Sequence, residues 1–362
     1  MDKLAVFSPN WASKPGNTIM EILNERNVSL ENFARQMGLT VSQIENLVKG
    51  SLSINFDIAN ELEMNLGASA KFWISRESQY RESLEKIKTI QQNWIKELPL
   101  KDMIKLGWIT KTEQLIKSCL EFFNVASIEE WRENYEKEIG LLAFRTSQSF
   151  NSDFAATSAW LRRGEIATRD LKCNNWDLNL FLETLESIKP LTKKKSPKDF
   201  LPKLIEACSN CGVAVAIVQT PSGCRASGAT KFTSPNRALL LLSFRYLSDD
   251  QFWFTFFHEA GHLVLHGNKA THIEISEKKS QSNMKEDEAN AFAAEMLIPY
   301  TLHPKLKNIR GNKRNLVNLA MEAGVSPGIV VGQMQYLGIV DFKYLNSYKR
   351  RFNWDEINEI NF

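Results

Sequence analysis

His258, Glu259 and His262 stand together in the run Phe256-Phe257-His258-Glu259-Ala260-Gly261-His262, an H-E-x-x-H pattern. On a helix of 3.6 residues per turn, positions four apart lie one above the other on a single face, so the two imidazoles can share one metal ion. Glu259 falls about 100° round from His258, where its carboxylate can address a water at that ion without ligating it. Two histidines that hold zinc and a glutamate that acts as general base are the working parts of a metallopeptidase. The bland alternative, two core histidines without a metal, leaves buried imidazoles and a buried glutamate that are costly to explain.

A catalytic zinc takes three protein ligands and keeps a fourth position open. His266 is nearby, but it stands eight residues beyond His258, a rise of roughly 12 Å along a helix. One ion cannot span that, so His266 is expected beside the site as a supporting residue rather than on the metal. The better source is the segment 285–299, whose apolar stripe runs through Ala289, Phe292, Ala293, Met296 and Leu297. At about 100° per residue, Glu286 lies about 50° from the centre of that stripe and Glu288 about 110° away on its other side. Glu286 therefore faces the core and is the expected third ligand. Asn290, four residues on, shares its face and can hydrogen-bond a ligand histidine.

The elements that must position these residues are legible around them. Ser248-Asp249-Asp250-Gln251 reads as a capping box with two carboxylates at the positive end of a helix dipole. Trp253, Phe254, Phe257, Leu263 and Leu265 make the motif helix apolar enough to be buried, and Gly267 ends it. Upstream, residues 212–219, 225–232 and 238–243 read as strands, the first two separated by the turn Pro221-Ser222-Gly223. A short sheet followed by two long helices is an α+β arrangement. Residues 226–232 or 238–243 are expected to offer an open edge on which an extended substrate lies by backbone hydrogen bonds.

Within residues 213–299, F-T-F-F-H-E-A-G-H-L-V-L-H and E-x-x-A-N-A-F-A-A-E-M-L-I-P resemble the ImmA/IrrE family of metallopeptidases. The resemblance implies a gluzincin-like domain with Zn2+ on His258, His262 and Glu286, and Glu259 as catalytic base.

With 362 residues the chain is long enough for two or three domains. Its 43% hydrophobic content suffices for packed cores, while 24% charged residues and the lack of an apolar run of membrane length point to a soluble protein with no membrane partner. Residues 1–20 contain no basic segment followed by a long apolar one, so no signal peptide is expected. Five cysteines, an odd number, make no disulfide framework and fit a reducing cytoplasm. Cys208 and Cys211 have no second pair and are expected to be buried thiols.

Residues 1–85 read as short helices over 17–26, 30–37, 41–49, 55–64 and from 69 onward. Ser29 and Thr40 are cap residues, Gly38-Leu39-Thr40 is a tight turn, and Gly50 ends the third helix, which is helix-turn-helix spacing with Ile44 and Leu47 facing inward. Thr40, Ser42, Gln43, Asn46 and Lys49 would then meet DNA, their polar side chains reading base edges in the major groove. Pro9, Pro15-Gly16, Lys49-Gly50, Ala59, Leu62, Leu66-Gly67 and Phe72-Trp73 make residues 7–84 similar to the HigA-type antitoxin branch of the XRE (Cro/repressor-like) family. That likeness implies operator DNA as a partner and a homodimer. Residues 1–82 hold eight Lys plus Arg against ten Asp plus Glu, so phosphate contacts require charges sorted to one side.

Residues 86–196 read as a helical connector in which Trp94, Trp108, Trp131, Trp160 and Trp176 serve packing, with turn signals at Pro99, Gly107, Gly140 and Gly164. Residues 197–362 form the metallopeptidase domain, closed by a helical cap in which Ser326-Pro327-Gly328 precedes a helix over 329–337. The expected fold is mainly α with an α+β C-terminal domain: a five-helix helix-turn-helix head, a helical connector and a gluzincin-like domain with a small sheet. The expected function is a cytoplasmic zinc endopeptidase fused to a DNA-binding transcriptional regulator. It would cleave a regulatory protein or toxin partner, itself included, in a stress, phage-defence or toxin-antitoxin setting. The competing reading is a non-proteolytic HigA-like antitoxin or repressor whose metal site is structural or sensory.

Overall fold

Side-chain caps start three of the helices of the N-terminal segment in the computed structural model, which describes residues 12–139, 150–267, 272–275, 284–309 and 312–360. Five helices follow one another: α1 (Pro15–Glu25), α2 (Leu30–Gln36), α3 (Val41–Lys49), α4 (Phe56–Leu66) and α5 (Ala70–Glu97). Ser29 Oγ accepts the amide of Asn32 at 3.3 Å, and Asn55 Oδ1 that of Ile58 at 2.9 Å. Thr40 and Gln43 form a reciprocal box, each side chain accepting the other's backbone N–H at 3.2 and 2.9 Å, which satisfies two donors that a helix start leaves open. Ile19, Leu23, Phe33, Ile44, Leu47, Leu62 and Trp73 close a core of their own. Pro9 lies outside the described residues.

The chain divides into two compact units, Met1–Lys96 and Glu97–Phe362. The described residues of 97–196 belong to this second unit instead of standing as a separate connector. They comprise α6 (Leu100–Lys105), α7 (Leu115–Phe123), α8 (Ile128–Ile139), α9 (Phe150–Thr168) and α10 (Leu178–Ile188). Gly164 is no turn, since it lies within α9, where a Cβ would come within 2.7 Å of Leu241 and where the bare backbone lets the helix press on the sheet. Trp160 of α9 donates its indole N–H to the carbonyl of Val218 at 2.9 Å. Gly140 lies outside the described residues.

After α11 (Pro197–Ser209) come β1 (Val213–Ile217), β2 (Ala226–Ser234), β3 (Arg237–Leu242), α12 (Asp249–His266), β4 (His272–Ile275) and α13 (Met284–Leu297). The strands form one mixed sheet in the order β1-β3-β2-β4, with β1 parallel to β3 and the other pairs antiparallel. Alternation along β3 decides what each face carries. Ala238, Leu240 and Leu242 join the core that contains Trp253, Phe256 and Phe257 of α12, while Leu241 faces α9. The expectation of an open edge at residues 226–232 or 238–243 is corrected here. Both β2 and β3 are interior, because β4 pairs with β2 from Ala226 to Thr230, and β1 and β4 are the edges among the described residues.

The chain ends in α14 (His303–Lys307), α15 (Lys313–Ala323), α16 (Pro327–Tyr336) and α17 (Trp354–Asn358), with α16 packed on α12. The capping box expected at Ser248 and Gln251 does not form. Ser248 Oγ donates to Asp250 Oδ1 at 2.7 Å, and Asp249 accepts from Ser326 Oγ at 2.8 Å and from the amide of Arg350 at 3.0 Å. Lys349 Nζ reaches Asp250 Oδ2 at 2.6 Å. The Ser248 hydroxyl thus goes to the neighbouring Asp250 carboxylate, while Asp249 and Asp250 are held by partners far along the chain. Leu265, expected in the core, is 48% exposed near the end of α12. Among the described residues no helix is long and apolar enough to cross a membrane.

Candidate metal centre

One face of α12 and the first turn of α13 bring three donor groups to a point. His258 Nε2 and His262 Nε2 lie 3.1 Å apart, Glu286 Oε2 is 3.2 Å from the first, and Glu286 Oε1 is 3.5 Å from the second. A tetrahedral ion with bonds of about 2.0–2.1 Å separates its ligands by about 3.3 Å, so the three donors fit a single ion. Both histidines are 1% exposed, whereas the Glu286 side chain is 34% exposed and marks the side open to solvent. Glu259 is fully buried on the same helix.

Asn290 and His266 both contact residues at the donor triangle or beside it. Asn290 Oδ1 lies 3.0 Å from His258 Nδ1, and as an acceptor it fixes the tautomer that leaves Nε2 with a free lone pair. His266 stays off the donor triangle. Its Nε2 is 3.2 Å from the carbonyl of Lys285 and its Nδ1 3.7 Å from Glu288 Oε2, so it ties the end of α12 to the start of α13, next to Glu286.

Electrostatics hold His262 and Glu286 in the protonation forms that a cation would bind. Burial pushes His262 below the ordinary histidine value of 6.5, against the opposing pull of Glu286. Burial alone would raise Glu286, but its hydrogen bonds with His258 and His262 outweigh that and hold the carboxyl well below the usual carboxylate range. Ligation requires deprotonated donors. Below pH 6.5 the unfolded chain takes up the His262 proton before the folded chain does. Stability of the metal-free protein therefore falls as pH drops through that window, and metal affinity falls with it as His262 becomes charged. Competition titration with a chelating dye from about pH 5 to 8 should give a flat affinity at the upper end and a decline beginning below 6.5. A decline that begins well above 6.5 would contradict the burial argument.

Two glycines bring the backbone close to the site. At Gly261 a Cβ would lie 3.1 Å from the Phe292 ring and 3.3 Å from Cα of Ala289, which is how α13 comes near enough to deliver Glu286. At Gly228 of β2 a Cβ would stand 2.5 Å from Glu259 Oε1 and 2.6 Å from its Cγ. The strand is thus the wall against which the carboxylate rests. Gly228 was not singled out in the sequence, although a glycine inside a strand is a signal of close backbone approach. Gly228→Ala is expected to cost about 1–3 kcal/mol through overpacking and to lower activity by moving Glu259, while metal stoichiometry stays at the wild-type value. Chemical denaturation and metal analysis check this; an unchanged denaturation midpoint would mean that the strand gives way.

In the first unit, Thr40, Ser42, Gln43, Asn46 and Lys49 are all exposed. Thr40 and Gln43 are engaged in the cap of α3, Asn46 accepts from Ser51 Oγ at 3.0 Å through its carbonyl, and Lys49 pairs with Glu45 at 3.4 Å. Ser42, Asn46 and Lys49 keep their side chains at the surface of α3.

Residues 214–333 match the peptidase family M78 domain described as IrrE N-terminal-like. A stretch of 62 residues is 36% identical to an uncharacterized HTH-type transcriptional regulator, YddM, of Escherichia coli (strain K12). The similarity takes in 17% of this chain and 66% of that protein.

Proposed function

From a chain that joins an IrrE N-terminal-like, peptidase-type domain to a segment related to a helix-turn-helix regulator, we propose a zinc-dependent endopeptidase that works together with an operator-binding module. Its substrate is a regulatory protein, this chain included, and its setting is a stress, phage-defence or toxin-antitoxin response in the cytoplasm. The observation that carries the peptidase reading is the triangle of His258, His262 and Glu286 donors, with buried Glu259 next along α12 from His258.

A divalent ion held by those three groups supplies the Lewis acidity that polarises a peptide carbonyl and makes a water acidic. The rest falls to the chain's own residues. His258, oriented by Asn290, and His262 are buried and hold their Nε2 atoms toward one point, so little reorganisation accompanies binding. Glu259 takes a proton from the attacking water onto a carboxylate oxygen as the water oxygen bonds to the carbonyl carbon. The same proton then passes to the amide nitrogen as the C–N bond breaks, leaving a free amine and a carboxylic acid, which loses its remaining water proton to solvent at neutral pH. Gly228 leaves room for the side chain that does this. Incubating the full chain, supplied with Zn2+, with a cell lysate and labelling new N-termini for mass spectrometry should reveal cuts that a chelator suppresses. Identical termini with and without chelator would remove the peptidase reading.

For the head, α3 is the proposed recognition helix, with Ser42, Asn46 and Lys49 toward the major groove. Selection from random duplexes followed by binding at several salt concentrations tests this. Lys49→Ala should weaken all sequences alike and reduce the log–log salt slope by about 1, whereas Asn46→Ala should cost about 1–3 kcal/mol at one base position. Binding that ignores salt would assign the head to protein docking instead, since phosphate contacts cannot be salt-independent.

A further inference from the structure

The ligand face of α12 does not stop at His258. One turn toward the N-terminus Phe254 occupies the same face, and it is partly exposed while Phe252, Trp253, Phe256 and Phe257 around it are buried. Its ring lies 6.3 Å from the His258 imidazole at 30° between planes, and 6.4 Å from the Tyr336 ring at 36°. Tyr336 is the last residue of α16 and is 65% exposed. Three gently inclined rings therefore lead from a metal-ligand histidine to solvent.

The end of α16 that carries Tyr336 is held by its neighbour Gln335. Gln335, itself buried, donates from Nε2 to the carbonyls of Phe342 and Tyr344 at 3.3 and 2.9 Å, and its Oε1 accepts from Lys349 at 2.6 Å. Lys349 also pairs with Asp250 of α12. A buried polar chain thus fastens the Tyr336 end of α16 to the helix that carries the metal ligands. A rigid aromatic surface binds a large apolar side chain at low ordering cost. An extended peptide advances about 3.3–3.6 Å per residue, so rings that begin 6.3 Å from the His258 imidazole are within reach of the residue next to the bond being cut.

We propose that Phe254 and Tyr336 form a specificity subsite that receives an aromatic or large aliphatic side chain flanking the scissile bond of the protein substrate. The proposal rests on the metallopeptidase reading. It is tested on the full chain supplied with Zn2+, using two peptide hydroxamates, whose chelating head group requires the metal and whose adjacent side chain is either benzyl or methyl. The intact protein should bind the benzyl compound about tenfold more tightly. Tyr336→Ala should bring the ratio toward one, and Tyr336→Phe, which keeps the ring, should restore it. Equal binding of both compounds by the intact protein overturns the subsite, as does a ratio untouched by Tyr336→Ala. If neither compound binds while Zn2+ is retained at full stoichiometry, the open coordination position, and the subsite with it, is wrong.

Discussion

Glu259→Gln is expected to retain one metal per chain and to cleave peptides about 10²–10⁴-fold more slowly than the parent, the range typical of a lost general base. The replacement keeps the size and shape of a fully buried side chain that rests against Gly228, so packing is preserved while the ability to accept a proton is lost. Metal content by elemental analysis and turnover on a peptide from the identified substrate separate the two effects. Undiminished cleavage would take Glu259 out of the mechanism. The same variant decides between the proteolytic reading and a repressor or antitoxin that acts by contact. Repression or toxin neutralisation that is fully retained without cleavage would assign the biological role to binding and leave the metal a structural or sensory part.

Glu286→Ala is expected to have the largest effect on metal occupancy. It removes one of three donors, and the one that offsets the burial cost on His262. Affinity should fall beyond the roughly 10–100-fold expected for a supporting partner, and the metal-dependent rise in melting temperature should disappear at moderate metal concentrations. Asn290→Ala is the internal comparison: it loses only the hydrogen bond to His258 Nδ1 and should stay within that 10–100-fold range. If the two variants bind metal equally well, Glu286 is not a ligand.

Much of this site was visible in one dimension because it is built from helical repeats. His258, His262, Glu286 and Asn290 are related in pairs by four residues, and a period of 3.6 converts that spacing into a shared face before any tertiary contact is known. Ser29, Thr40 and Asn55 cap their helices for the same local reason. The short sheet was legible only in part. Residues of β1, β2 and β3 carry strand composition, yet β4 is four residues long and gains its identity from pairing with Ala226 to Thr230 of β2. Composition cannot reveal a partner, so the edge of the sheet was assigned to the wrong strands. Ser248 shows the same limit, since a sequence that fits a cap is overruled when its hydroxyl turns to Asp250, a carboxylate that Lys349 also holds from far along the chain.

By itself, the order of residues determined the chemistry on offer and the faces of the two helices that present it, because side-chain type and helical period are properties of neighbours along the chain. Only the tertiary structure decided that α12 and α13 approach until three donors meet, that β2 backs Glu259 at Gly228, and that Tyr336 lines up with Phe254 beside His258. These are contacts between residues 24 to 82 positions apart, and such distances are set by close packing of the whole core rather than by any local preference.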